Sequence, residues 1–160
     1  MRCYKALNKN EFHEKEFSIV PIRDQDKFDI MSWRNEQIYH LRQNNLLTKK
    51  EQEKYFSETV NNLFKISKPS QLLFSFLDKE VCVGYGGLVH INWLDKHAEI
   101  SFVMNTSLEN DFFYEYWSKY LNLIEKVAFY EIGLNKIFVY AFDVRPKLYK
   151  ALNDASYNNE

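Results

Sequence analysis

The sequence predicts an α/β domain built on a mixed sheet, and three consecutive stretches indicate this fold class. Residues 81–104 contain two apolar runs separated by a polar corner at 92–97, which is the pattern of a hairpin of two long strands. A long helical pattern follows, and a third apolar run occupies 137–142. A strand, a helix and a strand in succession form the crossover that makes two neighbouring strands parallel. A hairpin that leads into such a crossover gives a sheet with both antiparallel and parallel pairs.

The first residues are predicted to contribute one strand. Residues 1–17 are mostly polar and charged, so we interpret them as an N-terminal arm that precedes a single domain over 18–160. The segment 18–23 is a short strand, and Pro21 places it near an edge because proline cannot donate a ladder hydrogen bond. A chain of 160 residues is long enough for one domain with a sizeable core.

Two helices are predicted next. Asp24 can cap a helix that runs to about Asn35, and 36–47 has no clear period, which is typical of a loop or a bent helix. Thr48 and Glu51 match a capping box, in which each side chain accepts a hydrogen bond from the other residue's backbone N–H. The helix behind this box has residues at helical spacing that form one face: Tyr55, Phe56, Thr59, Val60, Leu63 and Phe64.

The second half of the chain contains the clearest periodic signal. A strand over 71–77 precedes the hairpin, and the hairpin is followed by a helix of about 20 residues. Gly133 can end this helix in a left-handed conformation. A strand over 136–142 and a last helix capped by Asp143 complete the order β-α-α-β-β-β-α-β-α. The apolar face of the long helix consists of Phe113, Trp117, Tyr120, Leu121, Ile124, Val127 and Ala128.

Glycines at 84, 86 and 87 lie in the first strand of the hairpin. Glycine weakens a strand unless the backbone must bend or another group must approach it closely. We therefore expect a bend or a close approach there. The carboxyl ends of the parallel pair are where a ligand is expected to bind.

Bulk composition excludes several classes of protein. The net charge is −1 and charged residues make up 27%, so attraction to nucleic acid or to an anionic membrane is not expected. No apolar run reaches the roughly 18 residues of a membrane span, and the order of a signal peptide is absent. Cys3 and Cys82 lie far apart without a metal-binding or redox spacing. We expect no metal site and a reduced, cytoplasmic setting.

Four short motifs occur in a characteristic order. They are Trp-Arg-Asn at 33–35, Ala-Glu-Ile-Ser-Phe-Val-Met at 98–104, Gly-Leu-Asn-Lys-Ile at 133–137 and Leu-Tyr at 148–149. With the element order, they resemble the GCN5-related N-acetyltransferase (GNAT) superfamily. Within it, the chain looks like the branch that acetylates ribosomal-protein N-termini and nucleotide-linked amino sugars. The resemblance covers roughly residues 18–157 and implies an acetyl-coenzyme A-dependent N-acetyltransferase.

The resemblance also implies how the co-substrate, acetyl-CoA, binds. The two parallel strands would splay apart, and the pantetheine arm would pair with the backbone of 102–105. The pyrophosphate would lie at the N-terminus of the helix around Phe112, where free N–H groups and the helix dipole favour anions. The cofactor-binding residues implied in this way are Phe102, Val103, Met104, Asn105, Phe112, Phe113, Tyr114, Ala141 and Arg145.

The sequence departs from the family pattern in two places. Members usually have a glycine-containing loop before that helix, whereas the aligned segment 112–117 has no glycine and includes Glu115. Because glycine allows close backbone approach, we expect different phosphate contacts. Members also continue past the last helix into a closing strand pair. This sequence ends at Glu160, so the pair is expected to be short or missing.

Acetyl transfer requires a base for the amine and a proton for the leaving thiolate. Glu99 begins the second hairpin strand, and its carboxylate can accept the amine proton directly or through water; the alternative is a charge paired with Lys96 or His97. The resemblance places Tyr149 near the sulfur as the general acid, and the alternative is a tyrosine packed on the sheet. His90 is the other candidate base, with a structural histidine as its alternative.

A polar and aromatic group before the second helix is expected to bind the acceptor. Rings beside an arginine suit a sugar nucleotide, through stacking and phosphate pairing. The alternative is core anchoring by the tryptophan and surface charge for the rest. The group includes Arg42, and the predicted acceptor-binding residues are Trp33, Arg34, Asn35, Tyr39, His90 and Trp93.

Two classes of function remain open. The first is an N-acetyltransferase that acetylates a small-molecule primary amine, with a nucleotide-linked amino sugar as the favoured acceptor and a protein N-terminus as the alternative. The second is an inactive member that keeps the fold as a binding module, which the glycine-free segment and the early C-terminus favour. We expect no nucleic-acid partner and no membrane partner, and a homodimer is one open alternative for the oligomeric state.

Overall fold

The computed structural model describes residues 2–141 and 144–160, and one six-stranded sheet forms its centre. The strands lie side by side in chain order, and all pairs are antiparallel except the last. The predicted mixed sheet is therefore confirmed. The strands are β1 (Phe12–Glu14), β2 (Phe17–Pro21), β3 (Leu72–Asp78), β4 (Val81–Asn92), β5 (His97–Met104) and β6 (Lys136–Phe138).

Within the described residues, four helices accompany this sheet. They are α1 (Lys27–Glu36), α2 (Lys49–Lys54), α3 (Glu109–Glu125) and α4 (Pro146–Asp154). α2 continues through a π-helical segment, Tyr55–Val60, to a last turn at Asn61–Leu63. α3 continues through a second π-helical segment, Lys126–Glu131. The predicted order of elements is confirmed, with one additional strand at the N-terminal end.

The predicted capping box is present at the start of α2. The Thr48 hydroxyl accepts a hydrogen bond from the Glu51 N–H at 3.2 Å, and the Glu51 carboxylate accepts one from the Thr48 N–H at 2.8 Å. Asp24, in contrast, does not cap α1. It lies in a 3-10 turn before the helix, where its carboxylate accepts a hydrogen bond from Lys27 Nζ.

The last strand is shorter than predicted, because β6 ends at Phe138. The predicted end of this strand at Phe142 and the predicted helix cap Asp143 lie outside the described residues. α4 begins at Pro146, which occupies its first position and needs no backbone N–H there.

The N-terminal segment is part of the sheet and the core, not an arm. Phe12–Glu14 pairs with β2, and Tyr4 and Leu7 are buried. The Tyr4 hydroxyl donates to the Leu73 carbonyl oxygen at 2.7 Å, and its ring stacks on Phe64 with centroids 4.1 Å apart. Sequence patterning missed this segment because its few apolar residues are separated by polar and charged ones, and because the partners of Tyr4 are distant in the chain.

The helices cover both faces of the sheet. In β4, Tyr85 contacts Arg34 of α1, and the next residue, Gly86, faces Tyr120 of α3. Because successive strand residues point to opposite faces, α1 lies on one face and α3 on the other. The apolar face predicted for α3 and its extension is confirmed, since all seven residues are buried: Phe113, Trp117, Tyr120, Leu121, Ile124, Val127 and Ala128.

The glycines of β4 are explained by close packing. A Cβ atom on Gly86 would lie 2.6 Å from the Tyr120 hydroxyl and closer still to the Ser101 carbonyl oxygen. The expected close approach is confirmed, and the approaching groups are protein atoms of β5 and α3. Gly133 has φ of 67°, as expected for a left-handed helix terminator.

The structure also bears on membrane, metal and disulfide chemistry. No helix among the described residues has both the length and the apolarity needed to cross a bilayer. Over 2–141 and 144–160, no cluster of three or more His, Cys, Asp or Glu side chains is arranged to hold a metal ion. Cys3 and Cys82 are free thiols. The cytoplasmic setting stays a prediction.

Candidate active site

The two parallel strands separate after three paired residues. His97, Ala98 and Glu99 of β5 pair with Lys136–Phe138 of β6, and no later pair joins these strands in the described part of the chain. A cavity of about 120 Å³ then lies between 100–103 of β5 and 139–141. We call it the strand cavity. The predicted gap between side-by-side strands is therefore confirmed.

Glu99 is a buried carboxylate at the point where the strands separate. Its side chain is 6% exposed, and Oε1 accepts a hydrogen bond from Arg42 Nη2 at 2.5 Å. Oε2 lies 3.6 Å from Nε2 of His90, an exposed residue in a bulge of β4. The partners of Glu99 are thus Arg42 and His90, not Lys96 or His97. A carboxylate that lines the strand cavity is positioned to accept a proton from an amine bound there.

A second cavity, of about 280 Å³, lies between α1, α2 and β4. We call it the helix cavity. Arg34 and Arg42 line both cavities, so the two adjoin at these side chains. An acceptor in the helix cavity can therefore extend towards Glu99. The remaining residues that line it combine rings, amides, apolar groups and one carboxylate: Ile22, Ile30, Gln43, Leu47, Glu51, Gln52, Tyr55, Phe56 and Tyr85.

Arg34 is held in a fixed position between the two cavities. Its Nη1 donates to the Tyr85 hydroxyl at 2.6 Å, and its Nε donates to Gln43 Oε1 at 3.0 Å. The neighbouring Tyr85 raises the pKa of Arg34, so its positive charge is permanent. Both partners are formally neutral groups, which leaves this charge available to an anionic ligand.

A chain of polar side chains connects α1 to the end of β5. Gln37 is buried, and its Nε2 donates to the Met104 carbonyl oxygen at 2.7 Å. Its Oε1 lies 3.1 Å from His40 Nε2, and His40 Nδ1 lies 3.3 Å from Arg145 Nη1. Arg145 also donates to Glu109 at 2.7 Å. Burial, and then the charge of Arg145, lower the pKa of His40 to about 4.

The lowered pKa of His40 predicts a pH-dependent stability. Between pH 6.5 and about 4, unfolded His40 binds a proton and folded His40 does not, so the free energy of unfolding falls as the pH falls through this range. His40→Gln removes this contribution while its amide oxygen can still accept a hydrogen bond from Arg145. Urea unfolding above pH 6.5 and near pH 4 should show a smaller loss in His40→Gln than in the wild type. Equal losses would contradict the lowered pKa.

The strand cavity suits the acyl-pantetheine arm that the resemblance implies. Phe102, Val103 and Ala141 line it, as predicted for cofactor-binding residues. From residue 100 onward, the outer backbone edge of β5 has no neighbouring strand among the described residues, so its polar groups face the cavity. Met104 and Asn105 are engaged elsewhere: Gln37 binds the Met104 carbonyl, and the Asn105 side chain caps the following turn.

The start of α3 differs from the expected phosphate site. The helix begins at Glu109, so Phe112 is not at its N-terminus but stacks on Tyr116 at 5.1 Å. The first turn contains the carboxylates of Glu109 and Asp111. Because these already complement the positive end of the helix dipole, the turn is poorly suited to a pyrophosphate.

Positive charge at this end of the cavity comes from α4 and the residue before it. The Arg145 guanidinium lies 5.1 Å from the centre of the Phe113 ring, and Lys147 Nζ lies 5.7 Å from the same ring. Lys150 Nζ lies 4.6 Å from the Tyr114 ring. Three cations thus lie beside two of the predicted cofactor-binding rings.

Tyr149 and Glu99 do not line the same cavity. Tyr149 lines a third, open cavity beside β6, together with Phe129 and Tyr157. Tyr140 and Ala141 line both this cavity and the strand cavity, so a single segment of backbone separates Tyr149 from the strand cavity. The structure places the predicted acid and the predicted base on opposite sides of that segment.

Most of the predicted acceptor-binding residues are not at the cavities, and several of them pack in the core or hydrogen-bond within the protein. Trp33 is buried in the core. The Asn35 side-chain amide donates to the Leu47 carbonyl oxygen at 2.9 Å and accepts a hydrogen bond from the Leu47 N–H at 2.8 Å. Tyr39 is 64% exposed, and Trp93 Nε1 donates to a backbone carbonyl at 2.8 Å. None of these four side chains lines the strand cavity or the helix cavity as described. Of the predicted set, Arg34 lines both cavities, and His90 lies beside Glu99.

Sequence analysis missed four side chains that the structure places in or beside the cavities. Tyr55 and Tyr85 line the helix cavity with Gln43, and His40 lines the strand cavity. A sequence signal existed only for Tyr85, a lone ring between two glycines in a strand. The others lie on a helix or in an irregular segment, where a polar side chain is typical of the surface.

The fold and the site together define a class. A mixed sheet whose parallel strands separate around a cavity is the arrangement that the resemblance implies for an acetyl-CoA-dependent N-acetyltransferase. The family model for the acetyltransferase (GNAT) domain matches residues 19–145. The chain belongs to the GNAT acetyltransferase family, as an acetyl-CoA-dependent N-acetyltransferase with acetyl-CoA as co-substrate. This assignment favours the enzyme over the inactive binding module.

Solved structures with similar folds include a spermidine N-acetyltransferase from Vibrio cholerae in complex with CoA and spermine. It has 15% sequence identity and a TM-score of 0.79, over 92% of this chain and 83% of that one. A dodecameric structure of spermidine N-acetyltransferase from the same organism has 16% identity and a TM-score of 0.72, over 92% and 82%. A GCN5-related N-acetyltransferase from Brucella melitensis has 14% identity and a TM-score of 0.71, over 96% and 69%. At these identities the likeness supports the fold alone. No curated protein matches the sequence.

Proposed function

We propose that the chain acetylates the primary amine of an anionic small molecule, with a nucleotide-linked amino sugar as the favoured acceptor. The observation that supports this proposal most directly is the charge of the strand cavity. Three arginines line it: Arg34, whose partners are neutral groups, Arg42, which pairs with Glu99, and Arg145, which pairs with Glu109. Guanidinium groups bind phosphate in a paired geometry, so they favour an acceptor with a phosphate group.

The same positive charges disfavour two other acceptors, a polyamine and the N-terminus of a basic peptide. A polyamine such as spermine, which one of the similar structures contains, is a polycation. It would approach the guanidinium groups of Arg34 and Arg42, with Glu99 as the carboxylate of the strand cavity and Glu51 as that of the helix cavity. A basic peptide with a free N-terminus meets the same repulsion. An assembly of several copies, with a homodimer as the simplest form, stays a prediction.

The helix cavity supports a sugar nucleotide by its composition as well. Tyr55, which is 38% exposed, and Tyr85 offer ring surface for stacking. The Gln43 amide is engaged by Arg34, Asn35 and Asn45 and so holds the wall of the cavity in place. About 280 Å³ is close to the lower end of the volumes of small-molecule sites. A sugar in this cavity, with its amine directed towards the strand cavity, would bring the nitrogen near Glu99.

In this proposal, Glu99 and Tyr149 carry out the proton transfers. Acetyl-CoA supplies the acetyl group as a thioester, whose carbonyl carbon bonds to the amine nitrogen while the thiolate leaves. Glu99 accepts one proton from the acceptor ammonium, which frees the nitrogen lone pair. Once the C–N bond has formed, the nitrogen releases its second proton to water. Tyr149 gives a proton to the thiolate where the strand cavity and the cavity beside β6 adjoin, at Tyr140 and Ala141, and regains one from that water. Because a thiol of pKa near 8.5 leaves readily, the contribution of Tyr149 is modest.

Tyr149→Phe tests this assignment of the acid. We expect kcat to fall by about 10-fold while the affinity for acetyl-CoA changes little, since only the hydroxyl is removed. Tyr130→Phe, at a tyrosine that is 88% exposed, is the matched control and should leave both values unchanged. If Tyr149→Phe lowers kcat and acetyl-CoA affinity by the same factor, the hydroxyl is a binding group and not the acid.

A panel of acceptors tests the proposed function. Free thiol release from acetyl-CoA would be followed with a nucleoside-diphosphate amino sugar, the same amino sugar without the nucleotide, spermidine and a short basic peptide. We expect kcat/KM for the nucleotide-linked sugar to exceed each of the others by about 10-fold or more, which corresponds to about 1.4 kcal/mol from the arginine contacts. A higher kcat/KM for spermidine or the peptide would overturn the proposal.

A further inference from the structure

Arg42 differs from the other cavity arginines in where it lies and what it contacts. It belongs to the irregular segment 41–48 between α1 and α2, and its side chain is 53% exposed. Its guanidinium pairs with Glu99 at 2.5 Å and lies 5.7 Å from the centre of the Tyr140 ring. It therefore bridges the two sides of the strand cavity, at the carboxylate proposed as the base.

Arg34 provides the contrast. Arg34 is held by Tyr85 and Gln43, two neutral groups, whereas the ionic partner of Arg42 is the carboxylate that the amine needs. Both arginines line the helix cavity, where the acceptor is proposed to bind. Arg42 is thus the one of this pair that competes with the acceptor ammonium for Glu99.

We propose that Arg42 determines acceptor specificity by exchanging Glu99 for an anionic group of the acceptor. This inference rests on the proposed function. When a phosphate enters the helix cavity, Arg42 pairs with it and leaves Glu99. The acceptor ammonium then takes the position of the guanidinium, and Glu99 accepts one proton from it. The only covalent changes in this exchange are the N–H bond that breaks and the O–H bond that forms on Glu99.

Electrostatics favours such an exchange over simple displacement. A buried carboxylate without a partner is costly, and here Glu99 passes from one cation directly to another. A half-exposed arginine on an irregular segment can move without unfolding an element, and a phosphate offers it a paired geometry. An amine without an anionic group would have to displace Arg42 with no compensating partner. A polycation would add repulsion to that cost.

The experiment compares Arg42→Gln with the wild type on two acceptors, a nucleoside-diphosphate amino sugar and the same sugar without the nucleotide. For the nucleotide-linked sugar, we expect kcat/KM to fall by about 10-fold or more, mainly through KM. For the bare sugar, we expect kcat/KM to rise by about 3-fold, because Glu99 is no longer occupied. Lys50→Gln, at an exposed position nearby, removes the same charge and should change neither value.

Arg42→Lys supplies a second variant with the charge retained. Because an ammonium lacks the paired geometry of a guanidinium, its preference for the nucleotide-linked sugar should lie between those of the wild type and Arg42→Gln. Calorimetry with the nucleoside diphosphate alone should show about 10-fold weaker binding to Arg42→Gln and unchanged binding to Lys50→Gln. These readouts report on recognition even if turnover is low.

The outcomes separate this inference from the proposed function. If the wild type prefers the nucleotide-linked sugar and Arg42→Gln loses the same factor on both acceptors, Arg42 merely positions Glu99 and the exchange is overturned. If the wild type has no preference for the nucleotide-linked sugar, the proposed function is overturned and the exchange with it. A rise for the bare sugar together with a fall for the nucleotide-linked one supports the exchange.

Discussion

Replacing Glu99 with glutamine is expected to reduce kcat by about 10²–10⁴-fold, the range typical of a general base. Glutamine keeps the shape of the side chain, and its amide oxygen can still accept the hydrogen bond from Arg42 that Glu99 accepts at 2.5 Å. It cannot accept a proton. The loss should therefore appear in the chemical step and leave the affinity for acetyl-CoA nearly unchanged.

The rate of free thiol release at saturating acetyl-CoA measures this loss of kcat. Calorimetry measures the affinity for acetyl-CoA. The matched control is Glu53→Gln, the same chemical change at an exposed position of α2, which should leave kcat unchanged. A decrease smaller than about 10-fold in Glu99→Gln would mean that water or His90 accepts the proton. A double variant of Glu99→Gln with His90→Gln then distinguishes these two, since only the second route loses further activity.

Gly86→Ala is expected to have the largest effect on stability among the variants considered. Its Cβ atom would lie 2.6 Å from the Tyr120 hydroxyl and closer to the Ser101 carbonyl oxygen, in the middle of the β4–β5 pair. Tyr120 is fully buried, donates to that carbonyl at 2.6 Å and stacks on Phe102 at 4.0 Å. None of these groups can move without disturbing another, so the added methyl group forces the strands apart.

Overpacking of this kind costs about 1–3 kcal/mol, which lowers Tm by roughly 2–12 °C for a chain of this size. Because Phe102 lines the strand cavity, affinity for acetyl-CoA should fall as well. Gly133→Ala is the control: φ there is 67°, but a Cβ atom would have no neighbour within 4 Å. It should cost only about 1 kcal/mol from backbone strain, with acetyl-CoA affinity unchanged. A larger loss of Tm in Gly133→Ala than in Gly86→Ala would contradict the packing argument.

Elements with strong local patterns were predicted well. The seven-residue face of α3, the capping box of Thr48 and Glu51 and the hairpin of β4 and β5 depend on spacings of a few residues. The N-terminal strand was missed because Phe12–Glu14 is too short to show a strand pattern, although it pairs with the adjacent β2. The burial of Tyr4, in contrast, depends on a distant partner, since its hydroxyl donates to the Leu73 carbonyl oxygen.

For the site as well, residues with a local sequence signal were predicted and residues placed by distant contacts were not. Glu99 was predicted from its position at the start of a strand that enters a parallel crossover, whereas the gap beside it was implied by the family resemblance. Arg42 and Tyr85 acquired roles only when folding brought the segment between α1 and α2 against β4 and β5. Ring and amide side chains are equally suited to ligand binding and to packing, so their type alone cannot tell the two apart. For this reason the sequence also predicted four acceptor-binding residues that line neither cavity: Trp33, Asn35, Tyr39 and Trp93.

By itself, the sequence determined the mixed sheet, its parallel crossover and the family, since periodicity and short motifs survive in the linear order of residues. Only the tertiary structure decided which charges face the cavities, because Arg42 and Glu99 are 57 residues apart and Arg145 and His40 are 105 apart. Contacts over such distances depend on how whole elements pack, and no local pattern encodes them. The cationic character of the site, on which the proposed acceptor depends, is a property of that packing.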